Sequence, residues 1–387
     1  MTTTVQPPPT RKTRIVCISD THNQTPKLPK GDVLIHAGDL TKQGSYSELK
    51  KTVDWLEKAD FEAKIVIAGN HDLTLDAPLF AQLGASRKWP RPQDPEENRR
   101  LFTESSSITY LENEAATIYL NAPKGPHTCF KVYGSPYTPN NRNWAFGYKP
   151  DRATHMWDAI PSDADIVITH TPPQGHLDTA VGDHRTGCGV LLHALHRVRP
   201  MLSVFGHIHE ARGVERVRWN LQTPGNGSPT EHVEVWEDPG TGNKQSLVNL
   251  TAKGGRPLDN ASWLTRQMYN NPELLTQGEP PEGLPGPPGL LQPSDIEITS
   301  SLEQGVAAAE VSERAKVMLG GAIELRQGLR SSEVGLGHQT DVEAGERKET
   351  VMINAAFLGP YHLKTTLNKP IVVDVDLPVW RREEDAA

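Results

Sequence analysis

Five short apolar segments of this chain each end at a side chain of the kind that binds metal ions. The segments are rich in β-branched residues and are bounded by glycine or polar residues, a pattern typical of strands that are buried on both faces. The side chains that follow them are Asp20 and His22, Asp39, Asn70, His170, and His207 with His209. Because ligands of open α/β sheets bind beyond the carboxyl ends of the strands, we expect these side chains to converge there despite their separation in the sequence.

The succession of these motifs is more specific than any one of them. A single Asp or Asn after a strand is ordinary turn or cap chemistry, and a single histidine is more often satisfied by backbone groups than by a metal. Here Asp-x-His, Gly-Asp, Gly-Asn-His-Asp, a lone His and Gly-His-x-His follow buried strands one after another. Residue type, order and strand context therefore favour a metal site over a set of unrelated turn formers. His36, inside the second strand, is instead predicted to be a satisfied core residue.

Other parts of the chain follow the pattern of a known family. Beyond the ligand motifs, the segments that carry the resemblance are residues 134–136, 143–146, 169–173, 187–189 and 353–356. Together they resemble the calcineurin-like metallophosphoesterase superfamily and, within it, the branch of metallophosphoesterase-domain-containing proteins. The resemblance implies an α/β fold, a sandwich of two mixed β-sheets flanked by helices, and a metal-dependent phosphoesterase activity.

The resemblance also implies a site for two metal ions bridged by Asp39, because a carboxylate can share its oxygens between two ions. The ligands that it assigns to the first ion and then to the second are Asp20, His22 and His209, and Asn70, His170 and His207. This mixture of imidazole, carboxylate and amide donors suits Mn, Fe, Zn or Co better than Ca or Mg. Carboxylates or backbone carbonyls nearby are expected to fix the tautomers of the ligating histidines.

A dinuclear site of this kind suits phosphate ester hydrolysis. Two ions roughly 3.5 to 4 Å apart generate a nucleophilic hydroxide between them and neutralise charge on the phosphoryl oxygens. By the resemblance, His71 lies outside the metal ligands, where it donates a proton to the leaving oxygen or binds a phosphoryl oxygen, and Asp72 orients it. Trp144 and Phe146 are equally consistent with a substrate crevice and with core packing.

Two departures from relatives narrow the expected substrate. Ser/Thr protein phosphatases carry an Asp and an Arg shortly after Gly-Asp, whereas Asp39 is followed here by Leu-Thr-Lys-Gln-Gly. Some members of the nearest branch have Gly at the position of His207, whereas this chain keeps the histidine. We therefore expect an intact dinuclear site and a catalytic protein, and the resemblance implies a phosphodiesterase that acts on a small, cyclic nucleotide-like ester. The alternatives are a phosphomonoesterase or protein phosphatase, and a non-catalytic scaffold that binds a protein partner.

Charge and composition exclude several other classes. Residues 1–220 contain 26 Lys and Arg against 24 Asp and Glu, whereas residues 221–387 contain 14 against 24. A nearly neutral catalytic part predicts no nucleic-acid surface, which normally shows as a basic patch. The three cysteines show no paired spacing, which indicates reduced thiols. No apolar stretch is long enough for a signal peptide or a membrane span, so we expect a soluble, cytoplasmic protein.

Composition also predicts the domain organisation. We expect a disordered tail at residues 1–13, a metallophosphoesterase domain at 14–220 and 348–378, and a tail at 379–387. Between the two parts of the domain, residues 221–347 form an acidic, Pro/Gly-rich insert that is predicted to be largely disordered and to hold any protein-binding site. The predicted helices are residues 45–59, 76–83 and 187–198, with one more at 301–326 in the insert; the predicted strands of a second sheet are residues 108–111, 116–120 and 130–133.

Overall fold

The computed structural model describes residues 9–83, 89, 91–139, 143–222, 228–238, 244–260, 262, 347–360 and 366–380. In chain order its strands are β1 (Thr10–Ile18), β2 (Val33–Ala37), β3 (Ala63–Ile67), β4 (Thr109–Tyr110), β5 (Glu114–Tyr119), β6 (Cys129–Ser135), β7 (Thr138–Pro139), β8 (Gly147–Tyr148), β9 (Ile166–Thr169), β10 (Thr179–Ala180), β11 (His184–Arg185), β12 (Leu202–Phe205), β13 (Gly213–Trp219), β14 (Thr230–Val235), β15 (Ser246–Asn249), β16 (Glu349–Asn354) and β17 (Ile371–Pro378). The helices are α1 (Tyr46–Glu57), α2 (Ala77–Leu83), α3 (Pro95–Thr103), α4 (Ala153–Asp158) and α5 (Gly189–Val198).

Two mixed sheets organise these strands. The first sheet has six strands in the order β15-β17-β1-β2-β3-β4, and the second has seven in the order β14-β13-β16-β12-β9-β6-β5. β1, β2 and β3 run parallel to one another in the first sheet, as do β6, β9, β12 and β16 in the second. Parallel neighbours bring their carboxyl ends to the same edge, so the segments that follow them in each sheet lie side by side.

Alternation along the central strands explains why both faces of each sheet are buried. In β1, Ile15 and Cys17 face the core between the two sheets, whereas Val16 and Ile18 face the outer helices. Successive side chains of a strand point to opposite faces, so a continuous apolar run is what a doubly covered strand requires. Helices α1 and α3 cover the first sheet, and α4 and α5 cover the second. The predicted sandwich of two mixed sheets flanked by helices is confirmed.

Several predicted elements also agree with the structure. Helices α1, α2 and α5 lie within the predicted ranges. Glu48 accepts a hydrogen bond from the backbone N–H of Ser45 (2.9 Å), the reciprocal contact of a capping box at the start of α1. The segment at 108–111 was expected in the second sheet, but its strand β4 pairs with β3 in the first. A two-residue strand carries no pattern that selects its partner, and the pairing is decided by tertiary packing.

The predicted domain boundaries require three corrections. β1 begins at Thr10, within the predicted tail, because Thr10 pairs with Pro378 of β17. Trp380 lies within the other predicted tail, but it is buried and donates hydrogen bonds from its backbone and indole N–H groups to carbonyls of the β5–β6 hairpin. Strands β14 and β15, at the edges of the two sheets, fall within the predicted insert. Edge strands gain stability from backbone pairing and need little apolar pattern, which explains why they were missed.

Residues 263–346, including the helix predicted at 301–326, lie outside the described residues. Across the residues that the structure does describe, no helix combines the length and apolar character needed to cross a membrane.

Candidate metal centre

The structure brings all seven predicted ligands to one place at the carboxyl ends of the strands. The segments after β1, β2 and β3 of the first sheet supply Asp20, His22, Asp39 and Asn70, and those after β9 and β12 of the second supply His170, His207 and His209. His/Asp groups among them have ligand atoms within 4.8 Å of one another. The centre therefore lies where the two sheets meet, and each sheet contributes donors to it.

Asp20, His22 and His209 form what we call the first cluster. The Nε2 atom of His209 lies 3.3 Å from an oxygen of Asp20, and the Nε2 atoms of His22 and His209 are 3.4 Å apart. All three side chains are buried. They are the residues that the family resemblance assigns to the first ion.

The second cluster contains His170, His207 and Asn70. The Nε2 atom of His170 lies 3.0 Å from Oδ1 of Asn70, and the rings of His170 and His207 have centroids 5.0 Å apart. His170 and His207 form one group with Asp39 in which all three ligand atoms are within 4.8 Å. These residues are the ones that the family resemblance assigns to the second ion.

Asp39 stands between the two clusters. One of its oxygens lies 3.5 Å from Nε2 of His22, and the other lies 3.3 Å from Nε2 of His170. Each carboxylate oxygen thus faces a different cluster. This is the arrangement that a bridging carboxylate needs.

Hydrogen bonds to backbone carbonyls orient three of the ligand histidines. The Nδ1 atoms of His22, His170 and His209 lie 3.0, 2.9 and 3.3 Å from the carbonyl oxygens of Thr41, Ala37 and Gly359. A carbonyl oxygen only accepts, so each Nδ1 carries a proton, and each ring in its neutral form would present the Nε2 lone pair to the centre. The expectation that carbonyls or carboxylates fix these tautomers is met.

This tautomer assignment tests whether the donor set fits metal ions. The Nε2 atoms of His22 and His209 are 3.4 Å apart, and both are acceptors when their rings are neutral. Two acceptors at that distance repel each other unless a cation or a proton lies between them. A divalent ion bound to both nitrogens and to Asp20 would occupy the lone pairs of all three side chains. The residues therefore fit a metal ion.

The electrostatics of the centre favour positive charge. Burial lowers the pKa of His170, but the charge of Asp39 and their hydrogen bond outweigh burial and raise it to about 9. Burial raises the pKa of Asp20, but the charge of His209 and their hydrogen bond outweigh it and lower that pKa to about 2. The Asp20 and Asp39 carboxylates therefore remain ionised and attract cations to the buried centre.

Backbone strain coincides with the ligands. Asp20, His22, Asp39 and His207 have φ angles of 53°, 43°, 52° and 69°, in the left-handed region that residues other than glycine seldom adopt. Such conformations cost of order 1–3 kcal/mol each and persist where the surrounding structure imposes them, commonly at functional sites. The strain turns these side chains inward from the ends of their strands.

Two motif glycines are required by close packing against the ligand carboxylates. A Cβ atom on Gly69 would lie 2.3 Å from Oδ1 of Asp39, and one on Gly206 would lie 2.2 Å from Oδ2 of Asp20. These distances are far inside van der Waals contact. The glycines before Asn70 and His207 are therefore explained by the space that the carboxylates occupy.

His71 lies at the rim of the centre. Its ring is 4.6 Å from that of His22 in an edge-on arrangement and 4.1 Å from that of Trp144, and its Nδ1 lies 3.0 Å from the carbonyl oxygen of Lys42. Phe146, by contrast, is buried in the helix-facing core of the first sheet. Of the two aromatic residues considered, Trp144 borders the site and Phe146 is core.

The expectation that Asp72 orients His71 is wrong. The buried Asp72 carboxylate accepts hydrogen bonds from the backbone N–H groups of Leu40, Thr41 and Gly69 and from the Thr41 hydroxyl. Burial, and then the charge of Asp39, raise the pKa of Asp72 to about 7. Asp72 fastens the segment that follows β2 to the segment that follows β3, and so positions Asp39 and Asn70.

Sequence reasoning missed one further anchor, Asn354. Its amide donates to the carbonyl oxygens of Ile208 (2.9 Å) and Leu177 (3.1 Å) and thereby holds the segment between His207 and His209. The only available signal was that Asn354 lies in one of the segments that carry the family resemblance.

Comparisons with known proteins agree with this geometry. The sequence model of the family described as calcineurin-like phosphoesterase matches residues 13–211. Human "Metallophosphoesterase domain-containing protein 1" is 42% identical over 217 residues, covering 54% of this chain and 64% of that protein. "UPF0046 protein K07C11.7" of Caenorhabditis elegans is 35% identical over 215 residues, covering 54% of this chain and 69% of that protein.

A third relative shows that the domain occurs in other contexts. "Probable rhamnogalacturonate lyase C" of Emericella nidulans is 45% identical over 210 residues, covering 54% of this chain and 18% of that protein. The chain thus spans less than a fifth of this relative and less than two thirds of the human one. The matched region of the family model contains all seven candidate ligands and His71. The chain belongs to the calcineurin-like phosphoesterase family.

Proposed function

We propose that this protein is a metal-dependent phosphoesterase and, more specifically, a phosphodiesterase that hydrolyses a small diester of the cyclic-nucleotide type. The observation that carries the proposal is the placement of Asp39, whose two oxygens lie 3.5 Å and 3.3 Å from histidines of different clusters. When bound, two divalent ions activate water at neutral pH and neutralise charge on the phosphoryl oxygens. Mn, Fe, Zn or Co suits the donor set.

In this proposal each cluster holds one ion. Asp20, His22 and His209 would bind the first ion, and Asn70, His170 and His207 the second; Asp39 would bind both. Because the anchored Nδ1 carries one ring proton, loss of any proton on Nε2 leaves a neutral ring whose Nε2 would bind an ion. The strained backbone at Asp20 and Asp39 directs their carboxylates inward before an ion arrives.

His71 is the proposed proton donor to the leaving oxygen. Its Nδ1 is engaged by the carbonyl oxygen of Lys42, so Nε2 is the nitrogen that can exchange a proton with a substrate. The ring lies between that of His22, at the centre, and that of Trp144. Trp144 therefore offers an apolar face beside the proton donor, which suits an organic leaving group such as a nucleoside.

The segment after Asp39 supports a diester rather than a monoester. A phosphomonoester carries about −1.5 to −2 charge at neutral pH, whereas a diester carries one negative charge, so a monoesterase benefits from a cation beyond its metals. Leu40 and Thr41 are fully buried, and both donate backbone hydrogen bonds to Asp72. No arginine occurs in residues 40–44, the segment where protein phosphatases have one, and the cation that the segment does carry, Lys42, has an exposed side chain.

The test compares bis(4-nitrophenyl) phosphate with 4-nitrophenyl phosphate, using the full chain with Mn²⁺ and after removal of metal. We expect kcat/KM for the diester to exceed that for the monoester by about 10-fold or more, and both activities to disappear on chelation. A panel of cyclic nucleotides and dinucleotides then identifies the preferred ester. A faster monoester reaction would replace the diesterase proposal with a monoesterase. Two bound ions without turnover of any ester would favour the scaffold.

A further inference from the structure

We propose that His36 and Thr21 are positioning residues of the metal centre. They form a buried chain of hydrogen bonds that fixes the segment carrying Asp20 and His22 against the segment carrying Asp39. The inference rests on the proposed metal-dependent function. It concerns two residues that bind neither metal nor substrate in that proposal.

The series of hydrogen bonds begins inside the first sheet. His36 belongs to β2 and is 0% exposed, and its Nε2 lies 2.9 Å from Oγ1 of Thr21. Thr21, also 0% exposed, lies between Asp20 and His22 in the sequence. The same hydroxyl is 3.4 Å from the carbonyl oxygen of Leu40, the residue after Asp39. One hydroxyl thus joins the segments that follow β1 and β2.

The Leu40 carbonyl, at one end of the series, determines the direction of both hydrogen bonds. The carbonyl oxygen of Leu40 can only accept, so the Thr21 hydroxyl donates to it. The hydroxyl oxygen then accepts from His36, which places the ring proton on Nε2. Nδ1 of His36 has no hydrogen-bond partner among the described residues. With the opposite tautomer, a buried N–H donor would be left unpaired, which is rare in native structures.

A neutral His36 is consistent with its surroundings. Burial lowers its pKa to about 3, although the charges of Asp20 and Asp39 act in the opposite direction. A neutral ring adds no positive charge to a centre that would hold two cations. It still supplies the one N–H that the Thr21 hydroxyl requires.

The series of hydrogen bonds continues beyond Leu40 to the segment that follows β3 and carries Asn70. The backbone N–H of Leu40 donates to Asp72 (3.1 Å), which also accepts from Gly69, next to Asn70. Three segments that carry ligands from the first sheet are therefore joined through buried groups that bind no metal in the proposal. Asp20, His22 and Asp39 have left-handed backbone angles that need such external support.

Partners of this kind affect metal affinity. Loss of a group that orients a metal ligand typically costs 10–100-fold in affinity or activity. Thr21→Val has nearly the same shape and removes the hydroxyl. His36→Leu removes the donor, whereas His36→Gln can keep an N–H group near the position of Nε2. Thr13→Val is the matched control, because Thr13, a threonine of β1, is also fully buried, and its hydroxyl bonds to that of Thr128 (2.6 Å) away from the centre.

The experiment measures Mn²⁺ binding to the metal-free full chain by calorimetry, with folding checked by circular dichroism. The transition that His209→Ala weakens most identifies the first cluster, and the transition that His207→Ala weakens most identifies the second. We expect Thr21→Val and His36→Leu to weaken the first transition by about 10–100-fold and to leave the second within about threefold of wild type. We expect His36→Gln to recover most of the loss and Thr13→Val to bind like wild type.

Two results would overturn the inference while leaving the proposed function intact. One is wild-type Mn²⁺ affinity in Thr21→Val. The other is a loss in Thr13→Val as large as that in Thr21→Val, which would indicate a general effect on packing. If His36→Leu does not fold, the Thr21→Val and His36→Gln pair decides. A wild-type chain that binds no Mn²⁺ would overturn the proposed function and this inference together.

Discussion

The two clusters of the metal centre differ in how firmly their histidines are held. His22 and His209 of the first cluster are both buried, and each has its Nδ1 anchored on a carbonyl oxygen. In the second cluster His170 is anchored in the same way, whereas the His207 ring is partly exposed and has no hydrogen bond of its own within the described residues. The histidines of the first cluster are therefore held by more contacts than those of the second, and in the proposed metal centre an ion of the second cluster would have to fix the His207 ring. We therefore expect the first ion to bind more tightly.

The largest effect is expected at Asp39, whose carboxylate lies between the two clusters. Asp39→Asn removes the bridging charge, so both calorimetric transitions should weaken and turnover should fall by about 1000-fold or more. Metal content and diester hydrolysis of the purified variant provide the measurement. Two tightly bound ions in Asp39→Asn would show that the clusters do not depend on a shared carboxylate.

Removing one histidine from each cluster measures the difference between them. His209→Ala deletes a buried, anchored ligand and should weaken its ion by about 100-fold or more, whereas His207→Ala should cost its ion about 10-fold. The smaller loss is expected because the wild type must already order His207 when the ion binds. Calorimetric titration of both variants with Mn²⁺ decides. Equal losses, or a larger loss in His207→Ala, would contradict the ranking.

A change next to Asp20 tests the first cluster without removing a ligand. In Gly206→Ala the new methyl group would lie 2.0 Å from Oγ of Ser19 and 2.2 Å from Oδ2 of Asp20, so the carboxylate must move. We expect about 1–3 kcal/mol of lost stability and weaker binding of the first ion only. Thermal unfolding and metal titration check this.

Gly213→Ala is the matched control for that change. Its methyl group would meet the end of the flexible Leu177 side chain at 3.1 Å. It should therefore behave like wild type in both measurements. Normal binding of the first ion by Gly206→Ala would show that the Asp20 carboxylate has room to adjust.

A further expected effect, about tenfold for each pH unit, comes from proton competition in the second cluster. In the metal-free protein, the charge of Asp39 outweighs burial and raises the pKa of His170 to about 9, so this ring holds a proton at neutral pH that an ion must displace. Lowering the pH stabilises the protonated, metal-free form. Affinity for the second ion should therefore rise about tenfold for each pH unit between roughly pH 7 and 9 and level off above.

Calorimetry in buffers with different ionisation enthalpies measures this competition directly, and about one proton should be released with the second ion. Unchanged affinity over the same pH range would show that the His170 ring is already neutral in the metal-free protein.

The convergence of the candidate ligands can be predicted from the sequence because their placement is local. Each follows a strand whose continuous apolar pattern is unambiguous, and parallel strands end at a common edge. The roles of Asp72 and Asn354 could not be read in this way. Both act by hydrogen bonding to backbone groups of segments far away in the sequence, and any backbone group has the same donor and acceptor whatever its side chain.

The missed elements have a similar explanation. Strands β14 and β15 occupy sheet edges and carry little apolar pattern, so Pro- and Gly-rich turns around them resembled an insert. Helix α3 could have been predicted, because Asp94 accepts from the N–H groups of Glu96 and Glu97 and Pro95 occupies the first turn. An Asp followed directly by Pro is a helix start signal that can be read from the sequence.

Each candidate ion site draws donors from both layers of the sandwich. Asp20 follows β1 of the first sheet and His209 follows β12 of the second. An ion bound to both would therefore cross-link the two sheets. A ligand that binds only the native state, present at about 100 times its dissociation constant, adds about 2.7 kcal/mol to stability. Removal of metal should therefore lower the stability of the sandwich as well as stop the proposed turnover. The less stable chain should be cleaved faster by proteases, so the lifetime of the protein should depend on the supply of metal ions.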